Sequence, residues 1–549
     1  MAEKCGIVMK GGITSGVVYP LAINKLAERY EYSHIGGTSA GAIAAGFVAA
    51  AEFRRQQERA AGGNEMAGFE ALSDLADHLS NNLKQLFQPA KVHRKTFNLL
   101  MDLIEKQPKS AAGWVWKLFW KRGTIKKTLK HLDSTFYGLC PGLTTQDGHA
   151  GLSDFLHERL QGAAGLANDG KPLTIGDLKQ HGIVLNTITT NISQRTPINL
   201  PNMQDAFLRI EDAEMLLPTA VLDYVKAQST TEITGIEEPE KYLWMPTGDA
   251  MPVFLLMRLS LSFPVLLSAF PIYRVDHSKR HLLQPLQAED KPVPVERCLL
   301  SDGGITSNFP IHLFDRTIPS GPVFGISLES FHDDRQNPDV PDLSNRAYLP
   351  SKPRQGQTVP IHEIGSLLGF AMQIFHSAQT WQDFNQTRLP GYRERVVRLF
   401  LKEDAEGGLN LDMNPEQIKK LTKIGEVGGD VLLNQFDMDA HRWRRLLSAY
   451  AAVEEALEKF SEDYNREDEN VETFLGRVEN ELDFKVLGYR PASSEKLDEL
   501  AQRLQAIDAL AASMAPIQLR NNWGGTGRTT PKPSVSMKIV SSSFLESDE

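Results

Sequence analysis

The first fifty residues constrain this chain most. Cys5 to Met9 is a short apolar run stopped by Gly11 and Gly12, and Val17 to Tyr30 has helical spacing. Tyr32 to Gly36 is a second short run, and Ala40 to Phe53 is small, apolar and unbroken. The pattern is strand, turn, helix, twice over. Strands joined through a helix lie parallel, and a parallel sheet needs helices packed on its faces. The chain is therefore expected to be α/β.

After residue 53 the alternation lapses. Residues 54–180 read as mainly helical with polar breaks, and a strand returns at Gly182 to Thr190. A polar stretch at 202–248 leads into the apolar segment 253–272, and Cys298 to Ser301 and Val323 to Leu328 read as buried strands. The core sheet is thus expected to draw on distant parts of the chain. Residues 331–358 are rich in Pro, Asp and Arg and read as a surface connection. Beyond them, 360–385, 415–435 and 440–510 are helical in period, with one strand at Val396 to Leu401. The expected organisation is a core over 1–330 with helical insertions at 54–180 and 202–248, a helical region over 331–520, and a mobile tail over 521–549.

Composition excludes several classes. At 549 residues, 41% hydrophobic and 23% charged, the chain can bury a large core. A net charge of −10 argues against a surface that grips nucleic acid, which needs Lys and Arg to neutralise phosphates. Cys5, Cys140 and Cys298 are too few and too far apart for a disulfide framework or a zinc cluster. The N-terminus lacks a signal-peptide apolar region, and Val253 to Ile272 is interrupted by Arg258 and Pro264, unlike a membrane span. A soluble, cytoplasmic chain is expected, with peripheral membrane contact allowed.

Gly37-Thr38-Ser39-Ala40-Gly41 carries the strongest chemical signal, because it lies after a short strand and before a small-residue helix, where a nucleophile elbow belongs. The flanking Gly37 and Gly41 permit the sharp turn that presents the Ser39 hydroxyl. The alternative is a glycine-rich crossover packed on the sheet. Gly11-Gly12-Ile13-Thr14-Ser15-Gly16 follows the preceding strand, so both loops should emerge at the carboxyl edge, where backbone N–H groups of Gly11, Gly12, Ile13 and Ala40 would stabilise an oxyanion. A dinucleotide loop is the rival reading, but the G-x-G-x-x-G spacing is missing. The third element is Ser301-Asp302-Gly303-Gly304, which sets Asp302 at the tip of a buried strand. Its alternative is an ordinary turn or helix cap.

Together these pieces resemble the patatin-like phospholipases. The resemblance rests on the glycine loop (Gly11, Gly12, Gly16), the elbow (Gly37, Ser39, Gly41) and the tripeptide Asp302-Gly303-Gly304. It is supported by Leu259-Ser260-Leu261-Ser262-Phe263-Pro264 and by Asn308-Phe309-Pro310. It covers about 5–53, 180–200 and 253–328. It implies a three-layer α/β/α fold with a mainly parallel central sheet, and a Ser39–Asp302 dyad that cleaves fatty-acyl esters of phospholipids without a catalytic His, a metal or a cofactor. His312 is expected to be a packing or surface residue. The loop departs from the family pattern, since Lys10 precedes the glycine pair and Thr14 and Ser15 occupy its interior. Ser39 and Asp302 also stand far apart in sequence, which implies large insertions. Some members of such a family are effectors held inactive until a partner or signal arrives, so an activating partner is expected here too; oligomeric state is left open. Two other functions are compatible with the same residues: a soluble carboxylesterase or thioesterase, and a silent interaction scaffold.

A bilayer substrate needs a docking surface. Trp114, Trp116, Phe119 and Trp120 alternate with Lys117, Lys121 and Arg122, with Lys126, Lys127 and Lys130 following. This suits adsorption to anionic headgroups. The alternative is a helix that buries its aromatics in the core.

Overall fold

The computed structural model describes residues 3–12, 15–91, 132–144, 151–331, 342–350, 391–402, 413–465 and 494–514, with scattered single residues between 93 and 98, between 361 and 377, and at 406. The chain divides into two units. The first comprises Met1–Asp315, Gly321–Arg388 and Tyr392–Phe436; the second comprises Arg316–Ser320, Leu389–Gly391 and Asp437–Glu549.

The first unit begins with the expected alternation: β1 (Glu3–Met9), α1 (Tyr19–Ala27), β2 (Tyr30–Gly37) and α2 (Ala40–Ala61), followed by α3 (Ala67–Asn82). Next come β3 (Gly138–Cys140), α4 (Leu152–Ala164), α5 (Ile175–Gln180), β4 (Val184–Asn191), β5 (Thr196–Leu200) and β6 (Phe207–Arg209). Then follow α6 (Ile210–Leu216), α7 (Thr219–Gln228), β7 (Tyr242–Trp244), α8 (Val253–Ser260), β8 (Val265–Leu267), β9 (Phe270–Val275), α9 (Arg280–Ala288) and β10 (Val295–Ser301). The unit closes with β11 (Val323–Ser330), β12 (Ala347–Tyr348), β13 (Val396–Leu401) and α10 (Pro415–Gln435).

Eleven strands form one sheet in the order β12-β13-β11-β1-β2-β4-β10-β9-β6-β7, with β5 paired to β4. The centre, β13-β11-β1-β2-β4, is parallel, and the flanking pairs are antiparallel. The fold is thus mixed α/β around a mostly parallel central sheet. The sheet continues past residue 330, because β13 pairs with β11 from Gly325–Val396 to Ser330–Leu401 and so belongs to the same parallel core.

α2 is buried along nearly all of its first fourteen residues, which are mostly Ala, Gly and Val. Small side chains let it lie against β1, β2 and β4 while α3, α4 and α8 pack around it. It ends at Gly62 in the left-handed conformation, the usual helix stop. Its buried Glu52 and Arg55 form an ion pair at 3.3 Å. Arg55 also donates to the carbonyls of Ala27 and Tyr30, and Glu52 accepts the Tyr32 N–H, so the pair satisfies the α1–β2 connection. Those contacts fix β2, and β2 carries the elbow.

In the second unit α11 (Met438–Tyr464) packs on α12 (Ser494–Met514), and Ser461 Oγ donates to Asp508 at 2.6 Å. The C-terminal region is helical, as expected. Among the described residues no helix is long and apolar enough to cross a membrane.

Candidate active site

β4 builds the site. Thr187 pairs with both Gly37 and Leu200, and Thr190 pairs with both Pro197 and Ser301. Because β5 holds one edge of β4 at both positions, β2 and β10 must share the other edge. β2 runs parallel to β4 and β10 antiparallel, so their carboxyl ends approach each other head-on, with only Ile188 and Thr189 of β4 between them. The elbow leaves one strand at this gap and Asp302 leaves the other.

Ser39 sits in the turn with φ 57° and ψ −126°, a conformation that non-glycine residues rarely adopt. The turn is tight enough that a Cβ on Gly37 would strike the Gly41 carbonyl, and one on Gly41 would strike the Met9 carbonyl. The Ser39 hydroxyl donates to Asp302 Oδ2 at 2.6 Å. The other carboxylate oxygen accepts the Gly304 N–H at 2.8 Å. Asp302 N–H is held by the Ser262 carbonyl at 2.9 Å, and the Asp302 carbonyl accepts from Thr190 Oγ1 at 2.9 Å. A Cβ on Gly303 would collide with the Ile188 carbonyl, so glycine lets the Asp302 turn settle into the gap.

Both groups are buried, each 3% exposed. Burial pushes the Asp302 carboxyl up to about 6, against the opposing hydrogen bonds from Ser39 and Gly304. The carboxylate is therefore a stronger base than an exposed aspartate, yet ionised at neutral pH.

Of the four expected oxyanion donors, Gly11 is otherwise engaged: its N–H donates to the Asn308 carbonyl at 2.9 Å. This contact docks the glycine loop beside the elbow, with Gly11 packed against the Asn308 side chain and Ser39. Lys10 braces the loop from behind, donating to the Leu328 carbonyl at 3.1 Å, while Tyr19 OH donates to the Lys10 carbonyl. Among the described residues no acceptor takes the Gly12 N–H. Ala40 opens α2, so its N–H is one of those a helix leaves without an intrahelical partner. Ile13 lies outside the described residues, as do Trp114, Trp116, Lys117, Phe119, Trp120, Lys121 and Arg122. Gly16 packs close to the Ala40 side chain.

An apolar cavity of about 90 Å³ is lined at one part by Gly16 and Ala40, the latter adjacent in sequence to Ser39. It follows Ala40, Ile43, Ala44 and Phe47, one face of α2, for about 10 Å at 1.5 Å per residue. Phe87, Phe155 and Phe263 are among the side chains facing it. Sequence reasoning named Gly16, Ala40 and Phe263 as motif residues but did not single out Ile43, Ala44, Phe47, Phe87 or Phe155, because a cavity wall and a core have the same apolar signature. It also left Ser260 and the Asn308 carbonyl without roles.

The sequence model of the patatin-like phospholipase family matches residues 7–315, more than half of the chain. The chain belongs to the patatin-like phospholipase family. Its reaction at family level is the hydrolysis of lipid acyl esters. The chain is also 32% identical to the "RpoH suppressor" of Rhizobium meliloti (strain 1021), across 98% of this chain and 99% of that protein. Among solved structures it is similar to VipD from Legionella pneumophila, at 14% identity and a TM-score of 0.28 over 93% of this chain and 88% of the other. A score that low carries no argument about this patatin-like chain.

Proposed function

We propose that this patatin-like protein is a phospholipase A-type hydrolase working through a Ser39–Asp302 dyad. The observation that carries the reading is the 2.6 Å hydrogen bond from Ser39 Oγ to a buried carboxylate whose other oxygen is already fixed by a backbone N–H. Asp302 takes the hydroxyl proton as Ser39 Oγ attacks the ester carbonyl carbon. The tetrahedral oxyanion is met by the N–H groups of Gly12 and Ala40. Its collapse breaks the ester bond, and the leaving alcohol, a lysophospholipid, takes the proton from Asp302. A water molecule, deprotonated by the same carboxylate, then attacks the acyl-enzyme; the acyl–Oγ bond breaks to release the fatty acid, and Asp302 returns the proton to Ser39 Oγ. The scheme requires no metal or cofactor.

The apolar cavity supports a linear acyl chain as the part of the substrate recognised, since its lining includes Ala40, the residue after Ser39, and is almost entirely hydrocarbon. Such a substrate resides in a bilayer, so peripheral membrane association belongs to the proposal, with the Trp114–Arg122 stretch as the docking element. An activating partner or signal is part of the same proposal, because a phospholipase with access to its own membrane needs restraint.

The test is fatty-acid release from mixed phospholipid vesicles and from a dissolved short-chain ester. Wild type is expected to hydrolyse vesicles, and Ser39→Ala and Asp302→Asn each to abolish that activity. Cleavage of the dissolved ester alone would replace the phospholipase reading with a soluble esterase, and vesicle hydrolysis that survives Ser39→Ala would refute the dyad.

A further inference from the structure

One short segment touches both members of the dyad and the cavity. Ser260, the last residue of α8, is fully buried. Its hydroxyl accepts the Ser39 N–H at 3.0 Å and donates to the Ile188 carbonyl at 2.6 Å, bridging the elbow to the stretch of β4 that lies in the gap between β2 and β10. Two residues on, the Ser262 carbonyl accepts the Asp302 N–H at 2.9 Å and the Ser301 hydroxyl at 3.0 Å. Between and beside these polar residues, Leu261 and Phe263 face the apolar cavity. The segment is anchored at both ends. Thr189 Oγ1 donates to the Leu259 carbonyl at 2.8 Å. The buried Arg258 guanidinium donates to Ser262 Oγ at 2.8 Å and to the Ser268 carbonyl at 3.0 Å.

We propose that Ser260–Phe263 is a positioning strap that couples filling of the cavity by an acyl chain to alignment of the dyad, with Ser260 as the positioning residue for the nucleophile. The inference rests on the acyl-hydrolase reading above. Residues along the strap alternate between the two tasks: Ser260 through its hydroxyl and Ser262 through its main-chain carbonyl hold the catalytic backbone, while the side chains of Leu261 and Phe263 meet the chain. A chain that packs against Leu261 and Phe263 restricts the strap, and the strap restricts Ser39, whose strained backbone has its N–H bound to Ser260. Binding energy from the non-reacting end of the substrate then appears in kcat and not only in KM. Ser260 touches no substrate atom; it acts through Ser39.

The experiment compares kcat and KM on a series of dissolved aryl esters, from four-carbon to twelve-carbon acyl chains, for wild type, Ser260→Ala and Leu261→Ala, with thermal unfolding of each variant recorded alongside. In wild type kcat rises with chain length. In Ser260→Ala the long-chain kcat is expected to fall about tenfold further than the short-chain kcat, while KM still improves with chain length. Leu261→Ala, which leaves every polar contact of the strap in place, is expected to flatten the chain-length dependence of kcat in the same way. It keeps the test open if Ser260→Ala does not fold. An equal-fold loss at every chain length in the folded variants would mean a purely structural role and would overturn the coupling. Wild type that hydrolyses no ester in the series would overturn the hydrolase reading, and the coupling with it.

Discussion

Asp302→Asn should make this protein more stable while removing its activity, and the pH dependence of the gain follows from the structure. Burial raises the Asp302 carboxyl from an ordinary 3.8 to about 6 in the folded chain. Below about pH 3 the group is protonated in both the folded and unfolded states, so it is no burden there. As pH rises through 3.8 towards 6 the unfolded chain ionises freely while the folded chain resists, and stability is lost, with only a small part of the loss present at pH 4; well above 6 the loss is complete and constant. A rise of about two pH units, at about 1.4 kcal/mol each, makes that loss ~3 kcal/mol. Asparagine cannot ionise, its amide oxygen can still accept the Gly304 N–H, and its amide N–H can donate to Ser39 Oγ. Urea unfolding of wild type and Asp302→Asn at pH 4 and pH 7 is the assay. The variant is expected to gain ~3 kcal/mol at pH 7 and only a small part of that at pH 4. No gain at pH 7, or the same gain at both values, would refute a carboxylate held ionised at the cost of stability. Both outcomes are read against Ser39→Ala, which leaves the carboxylate buried and should not show the gain.

Three further predictions follow from the same geometry. The kcat/KM of wild type should climb with pH through an apparent pKa of about 6, leaving about a tenth of maximal activity at pH 5; a flat profile between 5 and 7 would contradict Asp302 as the base. Gly37→Ala sets a methyl against the Gly41 carbonyl and should destabilise the chain by about 1–3 kcal/mol with loss of esterase activity, visible as a lower melting temperature; wild-type stability and rate would show that the elbow is looser than described. Ala44→Phe fills the cavity along α2 and should depress turnover of long-chain esters at least tenfold while sparing short ones, and equal loss on both would show that the chain lies elsewhere.

The opening β1–α1–β2–α2 unit was legible because its signals are local: short apolar runs, glycine stops and a helix of small residues. Ser39 and Asp302 could be singled out for the same reason, each standing at the end of a short apolar run and beside glycines that a tight turn requires. Their meeting was legible only through the family resemblance, not from any local pattern in the sequence. It depends on β5 occupying one edge of β4, which forces β10 onto the edge already used by β2, and no periodicity in the sequence records which edge of a strand is free. The same limit applies to Gly11. Its glycine marked it as a loop residue, but only the folded chain brings the Asn308 carbonyl to its N–H, so that the proposed mechanism draws on Gly12 and Ala40 instead. Ser260 closes an apolar stretch and reads as a helix end, and its contact with the Ser39 backbone is a product of long-range packing. β13 was visible as a strand, while its place beside β11 was hidden by the long connection that precedes it.

Peptide mapping by mass spectrometry after reaction with an alkyl fluorophosphonate tests the central claim most directly, because the reagent becomes covalently attached only to an activated serine. The account predicts one adduct, on the peptide containing Ser39, and labelling at least 100-fold slower in Asp302→Asn, in which no carboxylate remains to accept the hydroxyl proton. An adduct on another serine, or labelling of Ser39 at the same rate without the Asp302 carboxylate, would contradict it.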